Sequence, residues 1–213
     1  MAVENIALEK LLVWEYQTDE ALLVPYSGAA KQQFSEDFLV EQYVRLLKDD
    51  LLSTIYPEGE MNLNQFMAYC LNKPMQILCK KTSDLGPFPV AGFGWLYDFS
   101  GPEGARMSKV GFAFYKEFWG TSLVRQLGSL LIRWWIEVCK VDVLYGTLLA
   151  TNRLAVNFAR KYGFRELTVL PKFYLVENRR IDGRLVCLDK EDFRPFRPSM
   201  AGRANGDGQR PEL

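Results

Sequence analysis

The chain has 213 residues, enough for one domain with tails that buries roughly 70% of the surface its unfolded form would expose. Hydrophobic residues make up 48% and charged residues 24%, and Lys plus Arg equal Asp plus Glu at 26 each, so no net field draws the chain to nucleic acid or an anionic membrane. Histidine is absent, which excludes His-based triads, most zinc sites and the commonest general base.

The opening MAVENIALEK lacks the basic and apolar regions of a secretion signal, and no apolar run approaches the ~20 residues of a membrane span, so a cytoplasmic protein is predicted. Leu8, Leu11, Leu12, Val13, Trp14 and Tyr16 form a short apolar element, either a helix or an edge strand. ALLVPY at 21–26 reads as a strand closed by Pro25 and a Ser-Gly turn. From 34 to 52, Phe38, Leu39, Tyr43, Leu46, Leu47 and Leu51 recur at three- and four-residue steps, and Ser35 offers a cap, which predicts a helix ended by YPEGE. Asn62 or Asn64 can cap a second helix through Leu71.

Three strand-like runs follow at 74–81, 90–99 and 108–115, separated by turn-rich stretches that suit antiparallel hairpins. Thr121 to Val138 has a strong amphipathic pattern and predicts a helix. VDVLYGTLLA at 141–150 is nearly continuous in apolar residues, which predicts a strand buried on both faces. Asn152 to Tyr162 reads as a helix ended by Gly163. Two last strands, about 166–177 and 184–188, are expected to join across Ile181-Asp182-Gly183, since Asp-Gly is a hairpin signal. The segment from 196 to 213 is rich in Gly, Arg and Pro and is expected to be a disordered tail after one domain spanning 1–195. The whole reads as one mixed α/β (α+β) unit.

Cys70, Cys79, Cys139 and Cys187 show no CxxC spacing. Two disulfides are arithmetically possible, but each thiol sits in an apolar stretch, and reduced core cysteines are the expectation. No metal site is expected. Gly92 and Gly94 form an isolated GxG inside a strand and read as close packing, not as a nucleotide fingerprint.

Two segments carry the chemistry. KVGFAFYKEFWGTSLVRQLGSLL at 109–131 is a strand, a short loop with Gly120, and a helix; such a loop aims main-chain N–H groups at one point beside the helix's positive end, a cradle for pyrophosphate. TNRLAVNFARKYGF at 151–164 starts a helix on a polar Asn directly after a buried strand and ends it in Gly-Phe. Together they resemble the GCN5-related N-acetyltransferase (GNAT) superfamily, and most nearly its branch that acetylates ribosomal-protein N-termini. The likeness covers roughly residues 21–190.

The resemblance implies a mixed sheet of about seven strands flanked by about four helices, with acetyl-CoA or coenzyme A as cofactor and an amine-bearing small molecule or protein as partner. The family's loop, (Gln/Arg)-x-x-Gly-x-(Gly/Ala), falls on Trp119, Gly120, Thr121, Ser122, Leu123 and Val124, so Trp119 replaces the basic residue and Ser122 and Val124 replace glycines. Arg125, Lys116, Arg160 and Lys161 are cations that can offset those changes. By the same likeness Phe112, Phe114 and Lys116 lie on the strand that pairs with the pantetheine arm, Asn152 contacts the arm from the other side, and Phe158 belongs to the same helix. Asn152 can equally be a plain helix cap.

The family's usual acid and base are replaced: Ala159 stands at its tyrosine, Ala155 at the ribosomal branch's serine and Lys109 at its glutamate. Asp98, Tyr115 and Glu117 are the substitute catalytic candidates. A thiol of pKa near 8.5 leaves tolerably without an acid, and an α-amine is neutral roughly one time in ten at pH 7, against one in a few thousand for lysine. A depleted site therefore favours weakly basic amines. The implied reaction is direct attack of a bound amine on the thioester, with the oxyanion held by main-chain N–H near Phe114 or Lys116. The alternative is a degenerate member of the same fold that acts through another protein, binding coenzyme A or not. Nucleic-acid binding through the basic tail is disfavoured because Glu and Asp interrupt it.

Overall fold

The computed structural model describes residues 16–26, 36–52, 61–72, 75–81, 89–176 and 178–197. The apolar element before Tyr16, the Ser35 cap, the YPEGE break and the tail beyond Arg197 lie outside the described residues.

The elements run β1 (Ala21–Tyr26), α1 (Glu36–Lys48), α2 (Leu63–Asn72), β2 (Met75–Lys80), β3 (Val90–Ser100), β4 (Met107–Phe114), α3 (Ser122–Glu137), β5 (Val143–Leu149), α4 (Arg153–Lys161), β6 (Arg165–Val176) and β7 (Arg179–Asp189). The seven strands form one sheet in the order β1-β2-β3-β4-β5-β7-β6. Neighbours are antiparallel except β4 and β5, which run parallel. Among the described residues this is the mixed sheet with four α-helices that the resemblance implies.

Helices start where a polar side chain can accept an orphan N–H. Asn62 Oδ1 accepts the Gln65 N–H at 3.0 Å while Gln65 Oε1 accepts the Asn62 N–H at 2.9 Å, a reciprocal box that settles Asn62 over Asn64 as the cap of α2. Thr121 caps α3 and Asn152 caps α4. Gly163, at φ +99, ends α4 in the left-handed conformation, and a side chain there would stand 2.1 Å from the Asp192 carbonyl.

Two apolar clusters lie on opposite faces of the sheet. One gathers α3 and the end of α4 against Leu23, Leu78, Ala91 and Leu96; the other gathers α1 and α2 against Leu22, Ile77, Phe93 and Trp95. Gly92 and Gly94 serve packing: added methyl groups would lie 2.1 Å from the Ala113 carbonyl and 2.5 Å from Leu131. All four cysteines are free thiols. Burial pushes Cys70 and Cys79 up to about 12, so the stability their neutral thiols contribute is complete at neutral pH and is lost as pH rises above the ordinary thiol range. Cys139 and Cys187, expected in the core, are only half-buried.

Two further expectations are corrected. Asp182-Gly183 lies inside β7, and the β6–β7 turn sits instead just before Arg179, where Asn178 takes φ +61. Asp182 instead supports the neighbouring strand. β6 bulges between Leu170 and Tyr174, and the Asp182 carboxylate accepts the Lys172 N–H at 2.8 Å within that bulge. Second, β5 is not buried on both faces. Leu144 and Gly146 are covered, while Val143, Tyr145 and Thr147 are half-exposed, because β5 parts from β4 along most of its length.

One buried polar pair ties α3 to the sheet. Trp135 is fully buried and its indole N–H donates to Gln76 Oε1 at 2.8 Å. Replacing Trp135 by Phe should lower unfolding free energy by roughly 1–3 kcal/mol in urea titrations, because it strands a buried amide; adding Gln76→Leu should restore part of the loss. Additive losses in the double variant would contradict this.

Candidate active site

The site originates in the sheet. β4 pairs with β5 only from Met107–Lys109 to Val143–Tyr145, after which β5 follows β7 and β4 continues to Phe114 beside β3. The Tyr115 N–H donates to the Ala91 carbonyl at 2.9 Å, so alternation turns the main-chain groups of Val110, Phe112 and Phe114 away from β3 and into the gap. A cavity of about 890 Å³ fills this gap and reaches both faces of the sheet.

On one face the cavity meets the start of α3. Gly120, at φ +77, turns the chain there, and nothing stands within 4 Å of where its side chain would be. Thr121 follows as cap, its hydroxyl donating to the Phe118 carbonyl at 2.7 Å and accepting the Val124 N–H at 3.5 Å. Arg125 and Lys161 supply cations, and Asn152 lines the wall while its Oδ1 caps α4 through the Ala155 N–H at 3.0 Å. Phe158 stacks against Phe112 and Tyr162 with centroids 4.8 and 4.7 Å apart, and Gly128 lets its ring lie on α3. The Tyr162 hydroxyl donates to the Arg125 carbonyl, which fixes the end of α4 to the first turns of α3.

On the other face the wall is aromatic: Tyr69, Trp95 and Tyr97, with Leu51. Trp95 lies across Gly111, where a methyl group would come within 2.3 Å of its Nε1, and it meets Tyr69 edge-on at 5.8 Å. Burial pushes the Tyr69 hydroxyl above the ordinary phenol range, so it is neutral at physiological pH. Asp98 is the only carboxylate on the wall among the described residues, and it holds φ +57, an uncommon backbone state for a non-glycine residue. The Lys109 ammonium sits 4.8 Å from the Tyr97 ring centre.

Of the candidates drawn from the sequence, the cavity brings together Asp98, Phe112, Phe114, Gly120, Thr121, Val124, Arg125, Asn152, Phe158 and Lys161. The structure places the others elsewhere. Tyr115 is buried in the cluster of α1 and α2 and does not line the cavity, because its hydroxyl is drawn to Gln42 Oε1 at 2.8 Å beneath the Arg45 guanidinium. Glu117 is exposed and pairs with Arg45 at 2.8 Å. The Lys116 N–H donates to Asp49 at 2.8 Å, which removes it as an oxyanion donor. The Ser122 hydroxyl faces Glu20 and the Leu123 side chain enters the core, although both N–H groups belong to the first turn of α3.

Tyr69 and the Trp95–Gly111 crossing were not singled out as site features from the sequence. Their signal is a glycine opposite a tryptophan on the neighbouring strand, which is visible only once Trp95 and Gly111 are known to be in register.

Residues 39–165 match the family model described as an acetyltransferase (GNAT) domain. The chain belongs to the GNAT acetyltransferase family. Solved structures share this fold: the ribosomal-protein-S5-alanine acetyltransferase of Vibrio fischeri superposes with a TM-score of 0.64 at 11% identity, covering 86% of this chain and 100% of that one. The spermidine N-acetyltransferase of Vibrio cholerae, solved with CoA and spermine, gives 0.63 at 11% identity over 82% and 98%. The ribosomal-protein-alanine N-acetyltransferase of Brucella melitensis gives 0.56 at 21% identity over 73% and 96%. No curated protein matches the sequence closely. No described helix of this GNAT protein is long and apolar enough to cross a membrane, and no group of three or more Cys, Asp or Glu among the described residues could hold a metal ion.

A contact beyond β7 ties the end of the described chain to α3. Phe196 packs on α3, its N–H donating to Ser129 Oγ at 3.1 Å and its ring lying 5.0 Å from the Arg125 guanidinium. Phe196→Ala should lower stability by roughly 1–2 kcal/mol, as expected for a half-buried ring, and this is read as a lower melting temperature. An unchanged melt would show that this contact contributes nothing.

Proposed function

We propose that this chain is an acetyl-CoA-dependent N-acetyltransferase that acylates an amine. The observation that carries this reading is the cavity through the sheet, which sets a helix start and two cations on one face and the carboxylate of Asp98 on the other.

The described residues suit coenzyme A. Phosphates suit the open Gly120 loop and the start of the 16-residue α3, whose first N–H groups have no partner inside the helix, with Arg125 and Lys161 adding charge. An extended arm with amides suits the free edge of β4, and Phe112 with Phe158 screens that edge from water. When bound, acetyl-CoA would supply an acetyl group activated as a thioester. With the Lys116 N–H already engaged, the Phe114 N–H is the main-chain donor left for the developing oxyanion. Asp98 would draw an incoming ammonium into the aromatic end and take up the proton that the amine loses. No residue need protonate the departing thiolate, whose pKa near 8.5 makes it a tolerable leaving group.

The acceptor end suits an amine beside aromatic rings, and the missing strong base favours an α-amine over lysine. Neighbours named for spermidine and for ribosomal-protein alanine are consistent with an amine acceptor. A second reading, a fold-retaining protein that works by binding another protein, draws on the exposed apolar residues Leu167, Val169, Phe173 and Leu175 of β6, the last strand of the sheet.

Calorimetric titration with coenzyme A tests the first reading, with micromolar binding expected. Arg125→Ala should weaken it by roughly tenfold to a hundredfold through loss of one charged contact. A flat titration at millimolar coenzyme A would favour the second.

A further inference from the structure

The open edge of β4 is already partly occupied by the chain itself. The Trp119 indole N–H donates to the Phe114 carbonyl at 2.7 Å, the last acceptor on that edge. Trp119 lines the cavity and is 39% exposed, so the ring sits between the strand and solvent without being held in either core cluster. It is followed by Gly120, with its positive φ and open surroundings, so the loop can yield where the ring would have to move.

We infer that Trp119 is a displaceable plug: its indole N–H stands where the amide N–H of an extended ligand would donate, and a ligand arm pairs fully with β4 only after the indole leaves. The inference rests on reading this cavity as the seat of coenzyme A. The physical argument is competition for one acceptor. A strand edge offers its groups in alternation, so a ligand that adds to it as a strand needs the Phe114 carbonyl as well as the groups of Phe112. A ligand without such an arm has no need of that carbonyl. Trp119 therefore discriminates by ligand length: it opposes arm-bearing nucleotides and is neutral toward the nucleotide diphosphate alone.

Trp119→Phe keeps an aromatic ring and removes the donor together with the five-membered ring that carries it. Coenzyme A should bind this variant roughly fivefold to tenfold more tightly than the parent, the worth of one neutral hydrogen bond, whereas adenosine diphosphate should bind both alike. Trp119→Leu, which also lacks the donor, should behave the same way and guards against an effect of one side chain's packing. Coenzyme A should also change the tryptophan emission of the parent chain more than that of Trp119→Phe, which keeps Trp95 on the cavity wall. Equal coenzyme A affinities in parent and variants overturn the plug while leaving the cofactor reading intact. Tightening of both ligands overturns it too, since the loop and not the edge would then be responsible. Failure of coenzyme A and adenosine diphosphate to bind any of these proteins at millimolar concentration overturns the cofactor reading, and the plug with it.

Discussion

The arrangement depends on one departure from regular pairing. β4 and β5 are hydrogen-bonded from Met107 to Lys109 and then diverge, so main-chain groups in the middle of a seven-stranded sheet are left without a strand partner. Unpaired backbone inside a protein is costly unless something satisfies it. Everything around the gap addresses that demand. The rings of Phe112, Phe114 and Phe158 cover it, the Tyr162 hydroxyl ties α4 to α3 across it, and the Trp119 indole satisfies one carbonyl outright. A ligand with amides of its own fits such an edge because it removes a deficit that the fold has already created.

The two ends of the cavity do different work. The α3 end is built from backbone, and its chemistry survives substitutions that would disable a site made of side chains; Ser122 can face Glu20 without withdrawing its N–H from the helix start. The opposite end is built from side chains. Tyr69, Trp95, Tyr97 and Asp98 come from α2 and β3, and their positions depend on packing against α1 and α2. Erosion of the usual acid and base therefore changes the catalytic power expected of the site more than its capacity to hold a ligand.

The fold was legible in the sequence because its signals are local and strong: the amphipathic run of α3, the Asn152 and Gly163 bounds of α4, and the turn-separated apolar runs of β2, β3 and β4. The α3 end of the cavity was legible for the same reason, since a strand, a glycine loop and a helix are contiguous in the chain. Features that depend on register were not. Asp182-Gly183 looks like a turn, yet Asp182 serves the bulge of β6 across the sheet, and Asn178 makes the turn. Tyr115 lies one residue beyond Phe114, yet it is buried in the cluster of α1 and α2, where its hydroxyl meets Gln42. Trp119 could be read as a replaced basic residue, but its bond to the Phe114 carbonyl required the loop's three-dimensional path.

Hydrogen–deuterium exchange with and without coenzyme A addresses the central claim most directly, because it reports on individual stretches of backbone. Added coenzyme A should slow exchange in peptides covering Val110–Phe114 and Gly120–Arg125, while β1 and β2 on the far side of the sheet remain unchanged. Protection confined to other segments, or none at all under saturating ligand, would contradict the account of an open strand edge and helix start built to hold the cofactor.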